Sequence, residues 1–495
     1  MGPLGDVAMV AGSERALRNA GLLMAQRVLD VVGVTLFAVI VPRLLGPAAF
    51  GRFALLTSVS MWFALLSGLG AVSMLTRSVP RMVAAGDDEG LRRLATSMAV
   101  LRAITGACAA AGFFLVATLL LGEPDVLAAA FVAGAVLCRS VGNFGFALLL
   151  GLNDAARWGL GDLVRRWVIL ILVPLGFVAA GLRGACLGLL GAEVTVLACA
   201  LWWARPYLRR NAVDLSRSHL SPFLRIGSLF AVGNLLLMLT QRSGETLVRF
   251  ATNRYEEVGF FGAAYAVYLT VAHVMGQLVS SLAPHLVGEF ELGRTAAIGV
   301  WLERLLKYLV AMAVLSAAGA ALLGRALVPM LMGAEYVPVA ANVAVITLAL
   351  LAVAVGGVAR LQALVLDRPK VLIAASALEF AAFWAIGFPL ASRFGSLGAA
   401  VAVVPAAALS AGVLLSRVRS DLPFSLRPAA MALAASAVFA PLILIAPGWP
   451  LNAPLFVAGA AAYAGLLLRL RVMTFAEIAE LKRLLMSRGV RQSAA

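Results

Sequence analysis

Charged and hydrogen-bonding side chains recur at helical spacing inside long apolar runs of this sequence. From Arg15 to Asp30, the residues Arg15, Arg18, Asn19, Gln26 and Asp30 fall within about 120° of one another on a helix, with Arg27 on the flank. A second stripe holds Asn234, Gln241, Arg242, Glu245 and Arg249 within about 100°. A charge at the centre of a bilayer-spanning helix costs roughly 2.5–3.5 kcal/mol on insertion scales, so each such residue calls for a partner or for water. The balance of these stripes is positive. Arginine suits phosphate, because its planar fork donates two parallel hydrogen bonds and it gives up hydration more readily than lysine. The chemistry expected is therefore anion binding in a water-filled cavity. The alternatives are structural: Arg27 and Asp30, three apart, pair on their own helix, and Arg249 reaches out to the membrane interface.

Other polar residues extend the pattern. Thr270, His273, Gln277 and Ser280 share a face, where neutral donors could meet sugar hydroxyls or a neighbouring helix, and His273 is expected to be buried and satisfied. Arg139, beside Asn143, lies too deep in its run to reach the interface, whereas Arg360, near Gln362, is expected to do so. Glu193 and Glu379 stand as lone acids; with Asp30 and Glu245 they are candidates for carrying a coupling ion, against an equally simple role in structural pairs. Arg52 and Arg77 bracket one run and read as interface anchors.

The elements that must hold these residues are membrane helices. The chain has 495 residues, of which 62% are hydrophobic and 13% charged. Its apolar stretches repeatedly exceed the roughly 20 residues that cross a bilayer core. Apolar runs and loop residues predict about fourteen spans, from 17–44 and 51–76 through 163–182, 184–204, 223–250, 260–287, 339–366, 371–391 and 396–416 to 429–447 and 452–470. The fold class expected is an all-α polytopic membrane protein. A formal charge of +16 could suggest nucleic acid, but the arginines sit in short loops rather than on a soluble basic surface, so no nucleic-acid partner is expected. Loops after even-numbered spans hold twenty basic residues, Arg157, Arg165 and Arg166 among them, against seven after odd spans, which places both termini in the cytoplasm. The four cysteines lie in apolar runs and read as packing residues, and no metal-site spacing occurs, so neither metal nor cofactor is expected. From Thr474 the tail reads as an amphipathic surface helix.

The chain also repeats itself. Gly51 and Phe53 in "LLGPAAFGRFALLTS" match Gly259 and Phe261; Pro80 matches Pro284; and Pro174, Gly181, Gly184 and Ala185 match Pro389, Gly395, Gly398 and Ala399. The matches keep one order, at separations of 208, 204 and 214–215 residues. Two six-span units entering the membrane the same way are expected: an N-lobe over 1–205, a linker over 206–222 and a C-lobe over 223–417. Two further helices over 418–473 and the tail over 474–495 complete the chain. Substrate sites in such duplicated transporters usually lie near the midplane, between the repeats. At the first loop, Gly46 is expected to cap the first helix in the left-handed conformation, with Phe50 and Phe53 at the interface.

Gly-Pro-x-x-Phe-Gly-x-Phe at the second span, "LAPHLVGEFE" after the eighth, "GLRGACLG", "GSLGAAVA" and the fourteen spans together resemble the oligosaccharide flippase (Wzx-type) branch of the multidrug/oligosaccharidyl-lipid/polysaccharide exporter superfamily. The resemblance covers nearly the whole chain. It implies a transporter, not an enzyme, in the inner membrane, passing a polyprenyl-pyrophosphate-linked oligosaccharide to the outer leaflet by alternating access for surface polysaccharide synthesis. It further implies membrane lipids and polysaccharide polymerase machinery as partners, and a monomer. Lipid II flippases and ion-coupled drug antiporters of the same superfamily are the alternatives. The first usually carry several arginines along the first helix, where here only Arg27 lies well inside. The second usually have twelve spans. A membrane glycosyltransferase is disfavoured by the short loops.

Overall fold

The computed structural model describes residues 3–68, 71–208, 213–214, 216, 235–236, 238–446 and 448–474, with the side chains of 3–25, 27–28, 71–73, 77, 155 and 284 left aside. The expected tail helix beyond Thr474 and the candidate Asn234 lie outside the described residues, as does the side chain of Arg27. The protein is an all-α, multi-pass membrane protein: among the described residues nine helices are long and apolar enough to cross a membrane and no strand occurs. It divides into two compact units, 1–263 and 264–495.

The first unit contains α1 (Pro3–Leu66), α2 (Ala71–Ala85), α3 (Asp88–Leu115, continued by a π-helical turn to Leu120), α4 (Val126–Gly151), α5 (Ala155–Ala204) and α6 (Gly244–Thr252). Aspartates start three of these helices: Asp87, Asp125 and Asp154 accept from the backbone N–H three residues on, at 2.8, 3.2 and 3.1 Å. Desolvation opposes the charge on Asp125, but the Ala128 N–H and the Arg183 guanidinium, 2.9 Å away, outweigh it and hold this carboxyl below the ordinary carboxylate range.

The backbone of α1 reverses at Gly46. Gln26 and Asp30 before it line the same cavity as Met61 and Leu65 after it, whereas on a straight helix Gln26 and Leu65 would stand about 58 Å apart. Gly46 has φ 73° and ψ 165°. That combination is open essentially to glycine alone and is not the left-handed helical cap expected from the sequence. Phe50 and Phe53 are buried rather than interfacial. The reason is a close approach of two helices: a Cβ on Gly51 would collide with the Tyr255 carbonyl, and one on Gly259 with the Pro47 carbonyl. Gly51 and Gly259 are matched residues of the two sequence repeats, so the copies of this motif meet on one another.

Span 51–76 is not continuous. Helix α1 stops at Leu66, Ser67 and Gly68 form a turn, and α2 begins at Ala71. Glycines in a helix interior cost about 1 kcal/mol each relative to alanine, and the Ser67 hydroxyl turns back to the Ala64 carbonyl at 2.7 Å. The break therefore sits where Ser-Gly-Leu-Gly interrupts an apolar run.

Helix α7 (Tyr255–Glu291) leads into the second unit, which also contains α8 (Thr295–Met332), α9 (Val339–Ile346), α10 (Ala349–Val365), α11 (Pro369–Val418), α12 (Arg427–Ala435), α13 (Phe439–Ile445) and α14 (Asn452–Arg469). Within the unit, α8 packs against α9, α10, α12, α13 and α14. Helices α5 and α11 repeat each other in backbone detail. Each spans 50 residues and turns at a matched glycine, Gly181 at φ 58°, ψ −142° and Gly395 at φ 61°, ψ −141°. Gly184 then lies against the Gly176 carbonyl, and Gly398 against that of Leu390, so each element is a hairpin of two antiparallel limbs. Each also follows a left-handed residue, Asn153 or Asp367.

Candidate functional site

A cavity of about 430 Å³ lies within the first unit. Its walls come from both limbs of α1, from α3, α4 and α5, and from Met238 and Arg242 of the short helical stretch before α6. Among the described residues five arginines reach it: Arg102, Arg139, Arg165, Arg166 and Arg242.

Packing of small residues positions Arg139. Along α4 and the second limb of α5, Gly142 lies against Leu197 and Gly145 against Ala200. That register brings Arg139 opposite Glu193. The Glu193 carboxylate, fully buried, accepts from Arg139 Nε at 2.9 Å and Nη2 at 2.5 Å, and its other oxygen accepts from Arg165 Nε at 3.3 Å. Arg165 also donates to Asn143 Oδ1 at 2.6 Å and to Asp162 Oδ1 at 2.9 Å. Glu193 is thus no lone acid but the anion that holds two guanidiniums side by side. Arg166 donates to Asp30 at 3.3 Å, reaching it past Gly33, where any side chain would press on the Arg166 Cγ. Asp30 is therefore engaged by a residue 136 positions away as well as standing three from Arg27.

Arg102, from the middle of α3, is 4% exposed. Its guanidinium donates to the Ser67 carbonyl through Nη1 and to the Ser140 carbonyl at 2.8 Å through Nη2. The break in the second span creates this arrangement, since Ser67 lies just past the end of α1, where carbonyls lack helical partners.

Of the eleven sequence candidates for substrate binding, Gln26, Asp30, Arg139 and Arg242 line the cavity. Gln26 donates to the Ala156 carbonyl at 3.3 Å, and its own Oε1 is buried without a hydrogen-bond partner. Gln241 is half-buried and absent from the lining. Glu245 is buried in the first turn of α6, also outside the lining, with Oε2 lacking a hydrogen-bond partner. Arg249 donates to Asn253 Oδ1 at the end of α6, and its guanidinium lies 4.2 Å from the centre of the Tyr255 ring. That is a helix-end anchor. His273 and Gln277 belong to the second unit; His273 is exposed, not buried as expected. On the same helix the Thr270 and Ser280 hydroxyls bond back to carbonyls four residues earlier, at 2.8 and 2.9 Å. Glu379 is not a lone acid either: Arg360 donates to it at 3.3 Å, which also corrects the expectation that Arg360 reaches for the interface. Arg52 likewise is held by Glu123 rather than anchored alone.

Three cavity arginines were not among the sequence candidates. The sequence places Arg165 and Arg166 with the loop charges at the start of a span over 163–182, whereas Asp154 caps a helix that already starts at Ala155. The Asp154/Arg157 and Asp162/Arg165 pairs at i,i+3 are the signal that extends this helix. Arg102 is the one charged residue beyond the first two turns of its 28-residue helix, itself the mark of an intramembrane residue in need of explanation.

No protein-family profile matches the chain, and no curated protein matches it. Solved structures do. An inward-facing multidrug resistance MATE family transporter of the MOP superfamily aligns with a TM-score of 0.70 at 15% identity, over 82% of this chain and 97% of that one. The lipid II flippase MurJ in an inward closed conformation aligns at 0.69 and 13% identity, over 92% and 99%. The chain shares the fold of these two transporters. A MOP superfamily transporter from Pyrococcus furiosus, whose structure is described as having a binding pocket of reversed polarity, aligns at 0.51 and 14% identity, over 82% and 93%. At these identities the likeness is one of fold.

Proposed function

We propose that this protein is a transporter that moves a polyprenyl-pyrophosphate-linked oligosaccharide from the cytoplasmic to the periplasmic leaflet of the inner membrane, supplying surface polysaccharide synthesis and its polymerase. The single observation that carries this reading is the arginine-lined cavity of the first unit. Guanidiniums held inside a membrane protein recognise phosphate oxygens by charge and by paired hydrogen bonds. Trp158 and Asn143 in the same wall offer a flat apolar face and a polar group to a sugar ring. The shared fold with a multidrug transporter and a lipid II flippase supports transport as the activity class. Two lobes, 1–205 and 223–417, would expose the site alternately to the two sides of the membrane, with both termini cytoplasmic.

Basic lining disfavours organic cations, the substrates of a drug antiporter, since a like charge in low dielectric is repelled. A lipid II flippase would need the same pyrophosphate recognition and differs only in the sugar and peptide beyond it. The test uses the full-length protein in proteoliposomes with a fluorescent polyprenyl-pyrophosphoryl oligosaccharide, and follows leaflet exchange by accessibility to an impermeant quencher. Wild-type protein is expected to accelerate exchange over empty vesicles. Arg242→Gln is expected to slow it roughly tenfold or more, the value of one charge-assisted contact. Exchange equal to that of empty vesicles, or ethidium transport in its place, overturns the proposal.

A further inference from the structure

The five cavity arginines are of two kinds. Arg139 and Arg165 share Glu193, Arg165 also pairs with Asp162, and Arg166 holds Asp30. These three are neutralised by carboxylates of the protein and form a fixed framework, because pulling a guanidinium away from a buried acid strands both charges. Arg102 and Arg242 have no carboxylate within 4.0 Å among the described residues. The two carbonyls that receive Arg102 orient it without neutralising it, and its Nε–H is buried with no acceptor. Glu245, three residues beyond Arg242, attracts it electrostatically but forms no ion pair with it and does not line the cavity.

A nearly fully buried cation without a counter-charge is a site short of an anion. Arg102 is such a cation, Arg242 stands half-buried in the same cavity, and together they fit a headgroup carrying two negative charges. We propose that Arg102 and Arg242 are the charge-bearing ligands of a pyrophosphate diester, and that they make the protein select pyrophosphate-linked over phosphate-linked lipids. This rests on the transport reading above and adds to it the residues that bear the ligand charge, together with a selectivity.

The test compares two probes with the same tail and sugar, geranylgeranyl-pyrophosphoryl-glucose with two charges and geranylgeranyl-phosphoryl-glucose with one. Affinities are measured on the purified full-length protein in nanodiscs. Wild-type protein is expected to prefer the pyrophosphoryl lipid by about tenfold or more, the value of one additional charge-assisted contact. Arg102→Gln and Arg242→Gln should each reduce the preference to about two- to threefold, each removing one charge-assisted contact, and Arg368→Gln, which removes a paired charge that does not line the cavity, should leave it in place. Equal wild-type affinity for the two lipids overturns the proposal, as does a full preference retained by folded Arg102→Gln. Should Arg102→Gln fail to fold, wild-type protein and Arg242→Gln decide: a preference that Arg242→Gln abolishes upholds the assignment, and one that it retains overturns it. Translocation of both lipids without preference would leave the transport reading standing and overturn this assignment. Preference without translocation would do the reverse.

Discussion

Replacing Glu193 with alanine is expected to destabilise the protein by about 3–5 kcal/mol, the usual consequence of removing one partner from a buried charge network. Its carboxylate is fully buried and is shared by Arg139 and Arg165, whose side chains are 14% and 16% exposed. Without it Arg139 has no other carboxylate partner among the described residues, while Arg165 keeps Asn143 and Asp162. The loss should therefore be recovered in large part by the double change Glu193→Leu, Arg139→Met, because an apolar pair of similar volume often matches a buried ion pair in stability. Thermal unfolding of the purified protein in detergent measures both. If Glu193→Ala unfolds with the wild type, the carboxylate does not hold the framework of the cavity.

Gly51→Ala is expected to be as damaging for a steric reason. Its Cβ would collide with the Tyr255 carbonyl, and neither backbone can move away without separating the two helices. Overpacking of this kind costs about 1–3 kcal/mol and occasionally more. Backbone on both sides of the contact places Gly51 at the upper end. Gly259→Ala forces the same separation through the Pro47 carbonyl, so the double variant should cost clearly less than the two single changes together. Unfolding measurements on the three variants check this, and additive losses would show that the two glycines act independently.

Much of the fold was legible because membrane helices need long apolar runs, and glycine marks where they turn. The matches of Gly181 to Gly395 and of Gly51 to Gly259 proved to be conformational as well as textual: the first pair turn their hairpins with nearly the same dihedral angles, and the second pair touch. The break after Leu66 was hidden, because Ser67 and its neighbouring glycines lie within a run whose average hydrophobicity stays high. The polar stripes were read in part. A helical wheel tells which residues share a face, but it does not identify partners on other helices. Thus Asp30, Glu193 and Arg139 are all candidates in the sequence, while the pairings of Asp30 with Arg166 and of Glu193 with Arg139, 136 and 54 residues apart, are set only by packing. Arg102 escaped because a lone arginine forms no stripe, although its isolation was a signal in itself.

Whether a lipid-linked headgroup occupies the arginine-lined cavity is tested most directly by photo-cross-linking. Met61, in the cavity wall, is replaced by a benzophenone amino acid, as is Leu119 on an exposed apolar face in a separate variant. Each full-length protein, in native-composition membranes, is irradiated with a radiolabelled polyprenyl-pyrophosphoryl oligosaccharide. A covalent adduct at position 61 that unlabelled lipid displaces, with no displaceable adduct at position 119, is the expected result. A displaceable adduct at 119 and none at 61 would contradict the account.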